Sequence, residues 1–158
     1  MLIDAFARVK KKCPFATLKI YGEGDLRKEL QKQIFDLNLD DNVFLMGATN
    51  NVERVLETAD LFVLSSDYEG MPNALMEAMA VGVPCISTDC PCGGPRDLLG
   101  DNSTNKLVQC GNVNQMADSI CNYFENREDG TKEKKMSLSF KPEKINRMWE
   151  NFVLEIIG

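Results

Sequence analysis

Short aliphatic and β-branched runs alternate along this chain with longer stretches whose apolar residues recur every three or four positions, the two periods of strands and helices. Leu2, Ile3, Ala5, Phe6 and Val9 share one helical face, so the chain opens in a helix, which Pro14 ends. Residues 17–21 read as a strand stopped by Gly22 and Gly24. Asp25 is then placed to cap a helix with Leu26, Leu30, Ile34 and Leu37 on one side. Residues 43–46 form the next strand, closed by Gly47, and Asn50 or Asn51 opens a helix carrying Val52, Val55, Leu56 and Ala59. Residues 61–64 are a fully apolar strand. A helix over 72–81, a strand at 85–87, a loop through Gly93, Gly94 and Pro95, a strand at 106–108 and a helix over 112–125 follow. Residues 126–137 are polar and read as a surface connection. Pro142 suits the first turn of a last helix whose stripe of Ile145, Trp149, Phe152, Val153 and Ile156 packs on the parent domain or partly on a neighbour.

Strands that are apolar on both faces and alternate with helices predict a doubly wound, Rossmann-like α/β domain, a parallel sheet covered on both sides. Residues 1–158 read as one such domain. The pattern begins on a helix without a leading strand, so the first strand is expected upstream, in a longer natural protein.

Composition narrows the function. The 158 residues are 44% hydrophobic, with 11 Gly and 6 Pro, which excludes disorder and low-complexity structure, and no long uncharged apolar run predicts a membrane span. Lys and Arg total 18 against 24 Asp and Glu, a net charge of −6, which argues against nucleic acid or an anionic membrane surface as partner. The six cysteines include no Cys-x-x-Cys spacing and there is no histidine, so neither a zinc site nor a histidine-dependent triad is expected. Reduced structural thiols in a cytoplasmic protein fit better.

Parallel α/β sheets bind ligands outside the carboxyl ends of their strands, which draws attention to residues 22–25, 47–50, 65–73 and 88–96. Pro72 fits the first helical position, leaving the amides of Asn73 and Ala74 unpaired at a positive helix end suited to phosphate. Glu69 precedes that anchor, and Glu77 lies one turn beyond Asn73 on the same face. Glu77 is the only charged residue between Gly70 and Thr88, and a carboxylate in such surroundings needs donors, for which sugar or ribose hydroxyls would serve. Glu77 facing water or capping a backbone group satisfies the same spacing.

The run from Glu69 through Gly70, Met71, Pro72, Asn73, Ala74 and Glu77 to Pro84, followed by Ser87, Thr88, Asp89, Gly93 and Gly94, resembles the Glu-x7-Glu signature of group 1 glycosyltransferases, the retaining family 4. Gly22, Gly24, the strand ending at Gly47, and residues 59–63 match as well. The resemblance implies the C-terminal, donor-binding half of a two-domain GT-B enzyme using a nucleotide diphosphate sugar. Glu69 would contact the donor sugar as the catalytic residue. Gly70, Pro72 and the amides of Met71, Asn73 and Ala74 would hold sugar and diphosphate, and Glu77 the ribose. Gly47 and Ala48 would lie beside the base, with Gly22 and Gly24 allowing close approach. No metal or other cofactor is implied.

The family's cationic loop, an Arg and a Lys after the first strand, is not in this sequence, and neither is the acceptor half that would take a glycan or lipid and make any contact with the membrane surface. The chain alone is therefore expected to bind nucleotide weakly without turnover. Arg96 is a candidate phosphate or acceptor contact, against a surface pair with Asp97 or Asp101. Cys90 and Cys92 read as plain loop residues. Three other readings compete: a regulatory nucleotide-binding module, a receiver-like domain using Asp60, Asp67 and Asp89, and a metal-dependent transferase built on Asp67 and Glu69.

Overall fold

The computed structural model describes residues 1–100 and 106–126, and the helix expected after Pro142 lies outside them. Among the described residues five strands alternate with six helices: α1 (Leu2–Lys12), β1 (Leu18–Tyr21), α2 (Arg27–Asp36), β2 (Val43–Gly47), α3 (Val52–Glu57), β3 (Phe62–Leu64), α4 (Asn73–Val81), β4 (Cys85–Thr88), α5 (Gly94–Leu99), β5 (Lys106–Val108) and α6 (Val113–Glu125). All strand pairs are parallel, with β1 beside β2, and β3, β4 and β5 in that order.

Side-chain alternation along the strands divides the core between two faces. Val43, Val63, Ile86 and Val108 point to the face covered by α1, α2 and α6, where Phe6, Val9, Ile34, Met116 and Ile120 pack on them. Phe62, Leu64, Cys85 and Leu107 point to the opposite face, against Leu56 of α3, Leu75 and Met79 of α4 and Leu99 of α5. The helices therefore lie on both sides, as the apolar pattern predicts. The strands form two hydrogen-bonded groups, however, and β4 is buried throughout while every residue of β3 is only half-buried.

Helix ends follow the expected chemistry at three places. Asn51 and Asn112 cap α3 and α6 by accepting from the amides of Arg54 and Gln115. Gly82 ends α4 at φ 89°, with its own amide and that of Val83 both returning to the Ala78 carbonyl at 3.1 and 3.0 Å. Two helix starts differ from expectation. Asp25 does not cap α2: the chain makes a turn there, Arg27 bonding back to Gly24, and Leu26 occupies the capping position with its side chain exposed. Residues 94–99, expected as loop because of the glycines and Pro95, form α5, since Pro95 in the first turn lets Leu99 reach the core.

Candidate functional site

The loop between β3 and α4 is held from beneath by its neighbours. The Ser66 hydroxyl donates to Glu69 Oε1 at 2.7 Å, fixing that carboxylate over the strand end. The Ser66 carbonyl accepts from the buried Thr88 hydroxyl and from the Cys90 thiol at 3.3 Å, so β4 and its following loop set the position of the residue that holds Glu69. Gly94 closes the arrangement. A Cβ there would stand 1.6 Å from the Gly70 carbonyl oxygen and 3.3 Å from Met71 Cα, so the start of α5 supports the loop through direct backbone contact. Ser66, Thr88 and Gly94 had no assigned role in the sequence reading. Their hint is weak, since small polar or glycine residues at strand ends are common, and the contacts joining Thr88 to Ser66 and Gly94 to Gly70 span more than twenty residues.

At the start of α4 the amides of Leu75 and Met76 both bond to the Pro72 carbonyl at 3.1 Å. Asn73 and Ala74 have no side-chain cap over them and are exposed, and no acidic residue occupies the first turn to offset the positive helix end. Pro72 is the N-cap, at φ −76° and ψ 109°, and not the first helical residue: its extended ψ turns the chain into the helix, which begins at Asn73. Leu75, Ala78 and Met79 face the core, leaving Asn73, Ala74, Glu77 and Ala80 as the exposed side of α4. Glu77 is accordingly solvent-facing, one of the alternatives its spacing leaves open, while Leu75, Ala78 and Met79 turn inward. It does share a face with the two open amides.

The other glycines named from sequence meet at the ends of β1 and β2. The Gly22 amide donates to the Gly47 carbonyl at 2.9 Å, and Gly47 adopts φ 77°, where a side chain is strained. Arg27 ties this corner down, donating to Glu23 Oε1 at 3.2 Å and to the Leu45 carbonyl at 3.0 Å. Gly24 and Ala48 are exposed beside it.

Asp101 lies outside the described residues, and Arg96 does not pair with Asp97. It donates from Nε and Nη2 to both oxygens of Asp89, which the first turn of α5 brings opposite it, and this hydrogen-bonded pair raises the guanidinium pKa further. Its charge is thus already matched. Cys90 is a buried thiol that pins the Ser66 carbonyl, more than a plain loop residue, while Cys92 is exposed and its thiol raises the pKa of the neighbouring Tyr68 phenol. Asp60 lies before β3 whereas Asp67 and Asp89 follow the carboxyl ends of β3 and β4, so the three acids of a receiver-like centre do not converge. A concavity of about 220 Å³ lined by Leu56, Asp60, Val81 and Pro84 opens at the amino end of the strands, away from these loops.

Comparison with known proteins accounts for this set of loops. The sequence profile of the glycosyl transferases group 1 matches residues 1–139. The chain is 35% identical over 156 residues to the poly(ribitol-phosphate) alpha-N-acetylglucosaminyltransferase of Staphylococcus aureus (strain COL), covering 96% of this chain and 31% of that protein. It is 31% identical over 146 residues to the poly(glycerol-phosphate) alpha-glucosyltransferase of Bacillus subtilis (strain 168), covering 92% and 21%. A crystal structure of a mutant S. aureus TarM in complex with Fondaparinux, alpha-GlcNAc-glycerol and UDP superposes with a TM-score of 0.79 at 34% identity, over 94% of this chain and 31% of that one. The chain thus spans less than a third of the length of each of these three relatives. By profile, by identity and by its GT-B-type fold, it belongs to the group 1 glycosyltransferases.

Proposed function

We propose that this chain is the donor-binding half of a retaining glycosyltransferase, holding a nucleoside diphosphate sugar whose sugar passes, in the whole protein, to a glycan, polysaccharide or lipid acceptor on a second domain. The observation that carries this reading is the uncapped start of α4 beside Glu69. The amides of Asn73 and Ala74 would receive the diphosphate, where the helix end favours the negative charge that grows on the leaving group. Glu69, oriented by Ser66, would engage the sugar hydroxyls, and Glu77, one turn along the same face, the ribose. Gly70 and Met71 would shape the floor, with Gly47 and Ala48 beside the base and Gly22 and Gly24 allowing close approach. UDP in the TarM complex supports a diphosphate donor of this class.

No metal or cofactor is assigned a part. Arg96 is engaged by Asp89, so the amides act without a free cation of their own at that loop, and the chain by itself binds weakly and does not turn over. Expected affinity for UDP is on the order of millimolar, about −4 kcal/mol. We place the protein in the cytoplasm, any contact with the membrane surface being made by the other half.

The test is calorimetric titration of this chain with UDP, together with donor affinity and single-turnover rate in the whole enzyme. Glu77→Ala weakens donor binding about tenfold, the loss of one charge-assisted contact, while Glu69→Ala chiefly slows transfer. UDP binding undetectable at ~10 mM, or both variants indistinguishable from the parent, removes the assignment.

A further inference from the structure

The pairing of β4 with β5 matches Ser87 to Leu107 and Thr88 to Val108, and the ladder runs one bond further, from the Asp89 amide to the Val108 carbonyl at 2.7 Å. Counting on in that register sets Cys90 opposite Cys110. Neighbouring strands lie about 4.8 Å apart, inside the roughly 4.4–6.8 Å between Cα atoms that a disulfide spans. The contacts of the two sulfurs agree. Cys90 Sγ donates to the Ser66 carbonyl at 3.3 Å, and Cys110 Sγ approaches the same oxygen at 3.9 Å. Cys110 Sγ also donates, at 3.5 Å, to the Asp89 carbonyl, whose peptide is joined to the Cys90 nitrogen. Two thiols thus converge on one oxygen beneath the loop that carries Glu69.

Access separates this pair from the other four cysteines. Cys110 is partly exposed while Cys90 lies buried behind it, the arrangement of an attacking thiol and a resolving one. Cys13 and Cys121 are neighbours too, but both are closed off in the core between α1 and α6. Cys85 is buried on the opposite face, and Cys92 is exposed beside Tyr68. Burial first, then Cys90 and the acids Asp67 and Asp89, hold the Cys110 thiol above its usual value, so it is protonated at neutral pH and exchange there runs over hours.

We propose that Cys90 and Cys110 form a dithiol modification site, which a small-molecule disulfide converts to a protein disulfide, resetting the loop that carries Glu69. Cys110 loses its proton to water and attacks one sulfur of the small disulfide; that S–S bond breaks, and one small thiolate leaves and takes up a proton. Cys90, deprotonated in turn, attacks the Cys110 sulfur, closing the protein S–S bond and expelling the second small thiolate, which is protonated. Two protein thiols are oxidised and one small disulfide is reduced to two thiols. The bonded sulfurs stand about 2.05 Å apart and carry no hydrogen, so the Ser66 carbonyl loses the Cys90 donor and keeps only the Thr88 hydroxyl of that pair. Ser66 in turn holds Glu69. Control of the donor sugar by this bond rests on the function proposed above; the bond and its effect on the loop do not, and their test uses no nucleotide.

The experiment incubates the folded chain with excess glutathione disulfide and reads intact mass, fragmentation of linked peptides and amide NMR spectra. The expected product carries a bond between Cys90 and Cys110, shown by the loss of two hydrogens at those positions, with or without a glutathione adduct on the exposed Cys92. Cys92→Ser forms the same bond. Cys90→Ser halts at a stable glutathione adduct on Cys110, and Cys110→Ser, a change at a partly exposed position that does not depend on refilling the core, leaves Cys90 unmodified. Amide resonances of residues 66–70 shift on oxidation and return with dithiothreitol, while those of Ile3, Phe6 and Val9 in α1 stay in place. Uptake of glutathione at Cys92 without a Cys90 to Cys110 bond overturns the proposal, as does loss of that bond in Cys92→Ser. So does the scatter of pairings among the six cysteines that the urea-unfolded chain gives, if the folded chain shows it too. A bond that forms while residues 66–70 stay unmoved overturns the coupling to the Glu69 loop.

Discussion

Gly94 is set by a contact rather than by backbone conformation, and that distinguishes it from the glycine before it. Gly93 sits at φ 83° with open space where a side chain would go, whereas at Gly94 a Cβ would collide with the backbone of Gly70 and Met71. Alanine at 93 therefore costs the strain of a left-handed residue, roughly 1–2 kcal/mol, and leaves the Glu69 loop where it is. Alanine at 94 displaces that loop: we expect a loss of roughly 1–3 kcal/mol or more in urea unfolding, accompanied by at least a tenfold weaker affinity for UDP. Equal UDP affinity in the two variants would separate Gly94 from the site. At this scale the sequence was only partly readable. Spacing puts Glu69 before the helix and Glu77 one turn along it, but it leaves open whether Glu77 faces water or a buried surface, because neighbours in sequence need not be neighbours in space. Around a helix, Leu75, Ala78 and Met79 turn inward precisely where Glu77 turns out. Thr88 and Cys90, which fix Ser66 and through it Glu69, act across a sheet, and nothing local to either residue signals it.

Among the elements, α4 offers a way to delete a phosphate donor without disturbing the helix. Proline at the first helical position is well tolerated, since the missing amide has no intrahelical partner, and it requires an extended residue before it, which Pro72 at ψ 109° already is. Asn73→Pro should thus leave thermal unfolding within a degree or two of the parent while lowering UDP affinity about tenfold, by the loss of one charge-assisted hydrogen bond. Asn73→Ala, which keeps the amide, serves as the control. If Ala and Pro bind alike, the amide does no work and the side chain or neither is involved. Element positions themselves were legible because periodicity survives without tertiary information. The failures were at starts. Glycines and Pro95 concealed α5, whose formation depends on Leu99 finding the second core cluster, and Asp25 satisfied a local capping rule that the turn from Gly24 to Arg27 overrode.

For the molecule as a whole, alternation of strands and helices revealed the fold class, but strand order is a property of pairing across space, so the division of the strands into two groups was not readable from their hydrophobicity. The same packing that buries every side chain of β4 has a consequence for stability at alkaline pH. Burial pushes the Cys85 thiol up to about 12 from its usual 9.0, and burial together with Cys13 pushes the Cys121 thiol up to about 11. Cys85 lies in the cluster under α4 and Cys121 in the one between α1 and α6, so ionisation of either demands opening of a different face. Both folded values are raised, so the folded chain keeps protons that the unfolded chain releases. This stabilisation is fully present below pH 9 and is lost as pH climbs toward 11 and 12, at up to ~1.4 kcal/mol per pH unit for each thiol. From pH 9 to pH 10.5 the two together withdraw roughly 3–4 kcal/mol, a large part of the stability of an ordinary domain. Urea unfolding across that range should give a falling free energy in the parent and a distinctly shallower fall in a Cys85→Ala, Cys121→Ala double variant, measured relative to its own value at pH 8. Parallel curves for the two proteins would mean that these thiols are as accessible to hydroxide in the folded chain as in the unfolded one, and that neither core face is closed around them.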